Sequence, residues 1–87
     1  MTNKNKIPGL KTGMFGIEDD GECFVVVNED IVYEGGQHEE VSLVDEYGNF
    51  TRAPECHIVK LFIDCSCFKQ AKDGRATLIW ERPEDEV

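Results

Sequence analysis

Two apolar runs, ECFVVV over residues 22–27 and IVY over 31–33, stand only three polar residues apart. Runs this rich in β-branched and aromatic side chains favour extended backbone. With Asn28-Glu29-Asp30 as their whole connection, they specify a β-hairpin. Side chains alternate along a strand, so Cys23, Val25 and Val27 share one face and Phe24 and Val26 the other. Ile31 and Tyr33 share a face opposite Val32.

Turn signals recur every few residues on either side of this hairpin. GMFGI (13–17) reads as a short first strand weakened by its glycines, and EDDG (18–21) as the turn after it. HEEVSLVDE predicts a further strand in which Val41 and Leu43 alternate with Ser42. Gly48 marks a turn within EYGNF, and Pro54 disfavours a central strand around residues 53–56. HIVKLFID (57–64) is the longest strand candidate. The period then changes: Asp64 or Ser66 can cap a short helical turn near 65–73, Lys69 and Lys72 suit its C-terminal end, and Gly74 supplies the terminating conformation. RATLIW (75–80) closes as a last strand. The expected fold is mainly β: a small antiparallel SH3-like barrel, or a strongly bent sheet of five to seven short strands. Residues 1–11 read as a flexible arm, 12–82 as one β domain and 83–87 as an acidic tail. At 87 residues the chain has room for one core.

Charge placement is more informative than the net −9. No Lys or Arg occurs from Thr12 to Thr51, while eleven acids do. A field of one sign repels nucleic-acid and membrane phosphates and attracts basic surfaces. The expected partner is therefore a protein with a basic surface, met by Asp19, Asp20, Glu29, Asp30, Glu39, Glu40, Asp45 and Glu46. Neither direct nucleic-acid binding nor membrane insertion is expected, since no apolar run approaches the roughly 20 residues a bilayer span needs. The basic N-terminus leads into no apolar stretch, so the expectation is a cytoplasmic protein with reduced thiols.

CHIVKLFIDCSCF (56–68) gathers Cys56, His57, Cys65 and Cys67 into thirteen positions. A structural zinc site needs four converging ligands, usually as two close pairs. If the strand runs on to residue 67, the odd positions His57, Val59, Leu61, Ile63, Cys65 and Cys67 form one stripe. On that reading Cys65 and Cys67 are small apolar core side chains. His57 would then lie about 25 Å from Cys65, at ~3.3 Å per residue. No metal or cofactor is expected; the four residues named are the only metal set the sequence offers. Tyr33, Phe50 and Trp80 read as core aromatics. His38 lacks a nucleophile to serve, and the Gly35-Gly36 turn is followed by no Lys-Ser/Thr as a phosphate loop would be. An enzyme is not expected.

GMFG, then FVVVNEDIVYEGG, HIVKLF and GRATLIWERPE, in that order, resemble a group of small phage and prophage proteins of Gram-positive bacteria. The likeness runs over most of residues 13–84, with LIWER (Leu78 to Arg82) its most distinctive part. That group has no established activity, so the resemblance implies a setting and not a set of functional residues. It implies a small accessory protein in the cytoplasm of an infected or lysogenic bacterium. The acidic sector adds the expected role, a protein-interaction module. Inhibition of a host nucleic-acid-binding or defence protein would suit its acidity. The alternatives are a structural β module that pairs with itself or another phage protein, and a zinc-binding regulator.

Overall fold

The computed structural model describes residues 6–53 and 55–83. Six antiparallel strands form one curved sheet: β1 (Phe15–Glu18), β2 (Cys23–Val27), β3 (Asp30–Tyr33), β4 (His38–Glu40), β5 (Ile58–Ile63) and β6 (Thr77–Glu81). A short helix, α1 (Phe68–Lys72), lies between β5 and β6. The strand order is β4-β3-β2-β1-β5-β6, so the sheet is open, with β4 and β6 at its edges. Of the two expected architectures, the bent sheet is the one formed.

The β2–β3 hairpin forms as its composition dictates, with a turn one residue tighter than expected. Val27 pairs with Asp30, which leaves Asn28-Glu29 as a two-residue loop. Asn28 takes φ 58 there, a left-handed conformation that asparagine tolerates better than most residues.

Each face of the sheet carries a buried cluster. One carries Phe24, Val26, Ile31, Tyr33, Ile58 and Leu61, with Phe50, Val41, Val44, Ala53 and Cys56 packed against them. The other carries Phe15, Cys23 and Phe62 beneath Ala71 of α1. Phe68 closes this second cluster, its ring edge-on to Phe15 at 5.4 Å. Fully burying an aliphatic or aromatic side chain of this size is worth roughly 1.5–3 kcal/mol. The aromatics expected in the core divide: Tyr33 and Phe50 are buried, while Trp80 is half-exposed.

Strict alternation fails in β5, and the reason is a bulge. Against β1, Lys60 pairs with Ile17 and Ile58 with Glu18, so Val59 is left over. A bulge shifts the facing of everything beyond it. Ile58 and Leu61, three positions apart, therefore both point into the main core and are fully buried. The expected odd-numbered stripe also stops early. The strand ends at Ile63, Asp64 turns at φ 57, and Cys67 becomes the exposed first cap of α1. Neither Asp64 nor Ser66 caps the helix with its side chain. Instead Gln70 Oε1 accepts the Ser66 N–H at 2.7 Å, and Asp64 accepts from Thr77 Oγ1. Gly74 takes φ 74, as a helix terminator should.

Val41–Leu43, expected to be extended, is a single 3-10 turn. Residues three apart in such a turn stack on one side. Val41 and Val44 thus both pack against the main core, where extended backbone would have pointed them apart. Ile7 and Leu10, from the segment read as an arm, pack there too, and the Ile7 N–H donates to the Glu46 carbonyl at 2.9 Å. The Arg82 side chain fastens the C-terminal end: Nε donates to the Ile58 carbonyl and Nη2 to that of Tyr47, both at 2.9 Å. Arg82, the last residue of LIWER, is thus an anchor. The rest of the arm (1–5), Pro54 and the tail beyond residue 83 lie outside the described residues.

Candidate functional site

Alternation along β1 sets Gly16 and Glu18 on the main-core face, opposite Phe15 and Ile17. Gly16 pairs with Phe24 across the ladder, and the Phe24 ring occupies the space a side chain would need. Two residues on, the same facing brings a carboxyl group inward. Glu18 is only 4% exposed. The Tyr33 hydroxyl, from β3, donates to Glu18 Oε2 at 2.5 Å. Burial pushes the Glu18 carboxyl from 4.5 up to about 7; the Tyr33 hydrogen bond works the other way, and Asp20, Glu22 and Asp19 add to the rise. Burial first, then Glu18 itself, raises Tyr33 as well.

A cavity of about 400 Å³ opens above this pair. Its walls are partly apolar, through Leu43, Phe50 and Ala53, and its polar groups include Glu39 and Arg52. Carboxylate oxygens of Glu18, Asp20 and Glu22 come within 4.8 Å of one another. Among the described residues, this is the one group of three or more such side chains close enough to share a cation. A buried carboxyl that gains or loses its proton near neutrality is characteristic of functional sites. The thiol lining the same cavity, Cys56, is pushed up by desolvation and by Glu55, which keeps it protonated and a poor nucleophile.

The acids singled out from the sequence divide into three sets. Asp20 and Glu39 line the cavity, and Asp19 stands beside it, its Oδ1 accepting the His57 N–H at 3.1 Å. Glu29, Asp30 and Glu40 line a second hollow at the hairpin end, where Asp30 and Glu40 are direct cross-strand partners. Asp45 and Glu46 belong to neither. Asp45 Oδ1 turns back to accept the N–H groups of Tyr47 and Asn49, both at 2.9 Å, and Glu46 pairs with Lys6 at 3.6 Å.

The four thiol and imidazole positions are not brought together. Cys56 packs against the main core, Cys65 against the second cluster, and exposed Cys67 begins the helix. The Cys65 thiol donates to the Cys67 carbonyl at 3.2 Å. The deeply buried cysteine is Cys23, whose thiol burial pushes up to about 11. Glu18 and Glu22 are functional candidates that the charge pattern alone does not single out. The signal for Glu18 is its position two residues beyond Gly16, on the face that Gly16 shares with the core.

No protein-family model matches the chain, and no match was found among the curated proteins or the solved structures. Among the described residues, no helix is long and apolar enough to cross a membrane.

Proposed function

We propose that this protein is a small, non-catalytic interaction module that captures a basic surface of a partner protein. The observation that carries this reading is the unneutralised acid along edge strand β4. Asp30 and Glu40 stand directly opposite each other in the β3–β4 ladder. Like charges in that position destabilise a sheet by roughly 0.2–1 kcal/mol. Among the described residues, the ion pairs involve Glu34, Glu46 and Asp73, and none involves Asp19, Asp20, Glu29, Asp30, Glu39 or Glu40. A basic partner would relieve that repulsion. The resemblance to phage and prophage proteins suggests a host nucleic-acid-binding or defence protein as the target, with the acids standing where phosphates would.

The test is a variant carrying D19N, D20N, E39Q and E40Q. Amide side chains keep an oxygen to accept the backbone N–H groups that Asp19 and Asp20 now hold, so the fold should persist. Capture of basic host proteins should weaken steeply from low to moderate salt and vanish in the variant. Undiminished capture by that variant ends this reading. A second reading rests on β6, an edge strand whose Leu78 and Ile79 are 45% and 37% exposed. Self-pairing through that edge would persist in high salt and ignore the acid substitutions.

A further inference from the structure

The cavity beside β4 has the shape and chemistry of a receptor for one particular kind of group. Leu43, Phe50 and Ala53 make part of its wall apolar, while Asp20, Glu22 and Glu39 also line it. Glu18 lies almost fully buried in the same lining. An ionised carboxylate has two oxygens and about four acceptor sites. Tyr33 occupies one of them, and among the described residues no donor reaches Glu18 Oε1. Four carboxyl groups face one guanidinium, that of Arg52, which makes no ion pair among the described residues.

We propose that this cavity is a socket for a single cationic side chain of the partner, a lysine ammonium or arginine guanidinium, with Glu18 as its counter-ion. The inference rests on the reading of the acidic edge as a docking surface, and names the anchor of that docking. Lysine and arginine carry a charged head on an aliphatic stem, which matches an apolar wall leading to a buried carboxylate. Burying a carboxylate without a partner is costly, and a paired, hydrogen-bonded one much less so. The free protein avoids that cost by holding a proton on Glu18 near neutral pH. The incoming cation displaces it, so occupancy of the socket releases a proton to solvent. Affinity then rises about tenfold per pH unit until about pH 7 and levels off above. The groups facing Glu18 during this exchange are Tyr33 from β3, Asp19, Asp20 and Glu22 from the β1–β2 turn, His38 and Glu39 from β4, and Arg52 and Cys56 from the loop before β5.

The experiment titrates the full chain with N-acetyl-arginine amide and N-acetyl-lysine amide, using N-acetyl-norleucine amide as the uncharged control and butylammonium as the free amine. NMR shifts of Tyr33, Phe50 and Cys56 are followed from about pH 5 to pH 8. The expected result is binding of an arginine or lysine amide with the stated pH slope. Glu18→Gln, which keeps an acceptor for Tyr33, should weaken it by about tenfold or more and abolish the slope. A control variant with D73N and E81Q, outside both the cavity and the acidic edge, should bind the amides as the natural chain does. Equal binding of the norleucine amide, an unchanged affinity in Glu18→Gln, or butylammonium binding that leaves the blocked amino acids excluded would each overturn the proposal. Salt-sensitive capture of basic proteins that survives Glu18→Gln undiminished removes the socket and leaves the acidic docking surface standing.

Discussion

Replacing Glu18 by Gln should make the protein more stable at neutral pH, although it removes an ionisable residue that is tied into the core. The folded state holds the Glu18 proton more tightly than the unfolded chain, because burial lifts the carboxyl from 4.5 to about 7. Between those values the native state binds more protons than the unfolded one, so unfolding free energy falls as pH rises. The contribution is fully present below about pH 4.5 and is gone above about pH 7. At about 1.4 kcal/mol for each pH unit between the two values, the loss amounts to about 3 kcal/mol. Glu18 is only 4% exposed, so solvent screening does little to reduce this figure. Glutamine has the same shape, can accept the Tyr33 hydroxyl, and carries no proton to lose. The two proteins should therefore be nearly equal at about pH 4, with the variant ahead by about 3 kcal/mol at about pH 8. For a domain of this length, that is on the order of 15 °C in Tm. Urea midpoints measured in parallel across the pH series give the difference curve directly, and the other acids, common to both chains, cancel from it. A difference that stays flat with pH, or a variant that is weaker at pH 8, refutes the account of Glu18 as a buried group ionised at a cost.

Gly16→Ala should cost roughly 1–3 kcal/mol, the usual penalty for overpacking a core, because its Cβ would lie 2.2 Å from Cζ of the buried Phe24 ring; a urea midpoint within error of the natural protein would show that the ring moves aside freely. In timed alkylation read by mass spectrometry, exposed Cys67 should label first and Cys23, 1% exposed, only as the domain opens; co-equal labelling of the two would contradict the second cluster as described.

The fold is legible in the sequence where local pattern and burial agree. β2 and β3 follow from β-branched runs a few residues apart, and α1 from a change of period closed by Gly74. Legibility ends where a tertiary demand overrides alternation. Nothing local to HIVKLFID announces that Val59 is the surplus residue against β1, yet that bulge decides the facing of Ile58. Likewise Val41–Leu43 looks like a strand until the core requires Val41 and Val44 on the same side. The acidic sector is visible as a charge gap, but its organisation is not. Asp45 reads like any other surface acid and turns out to tie its own turn. Glu18 looks like the first residue of a polar turn, and only the pairing of β1 with both neighbours shows that it is the last residue of a buried strand.

Strand order also dictates when the sheet can complete itself. β1, β2 and β3 each pair with the next strand along the chain, as β5 does with β6, so both halves can zip from local contacts. The ladder between β1 and β5 is different, since it joins Phe15 to Phe62 across most of the domain. Closing a loop of that size costs roughly 3 kcal/mol of chain entropy before any contact repays it. Refolding should therefore wait on one encounter between the two preformed halves, and the ladder of four-residue β1 with β5 governs its rate.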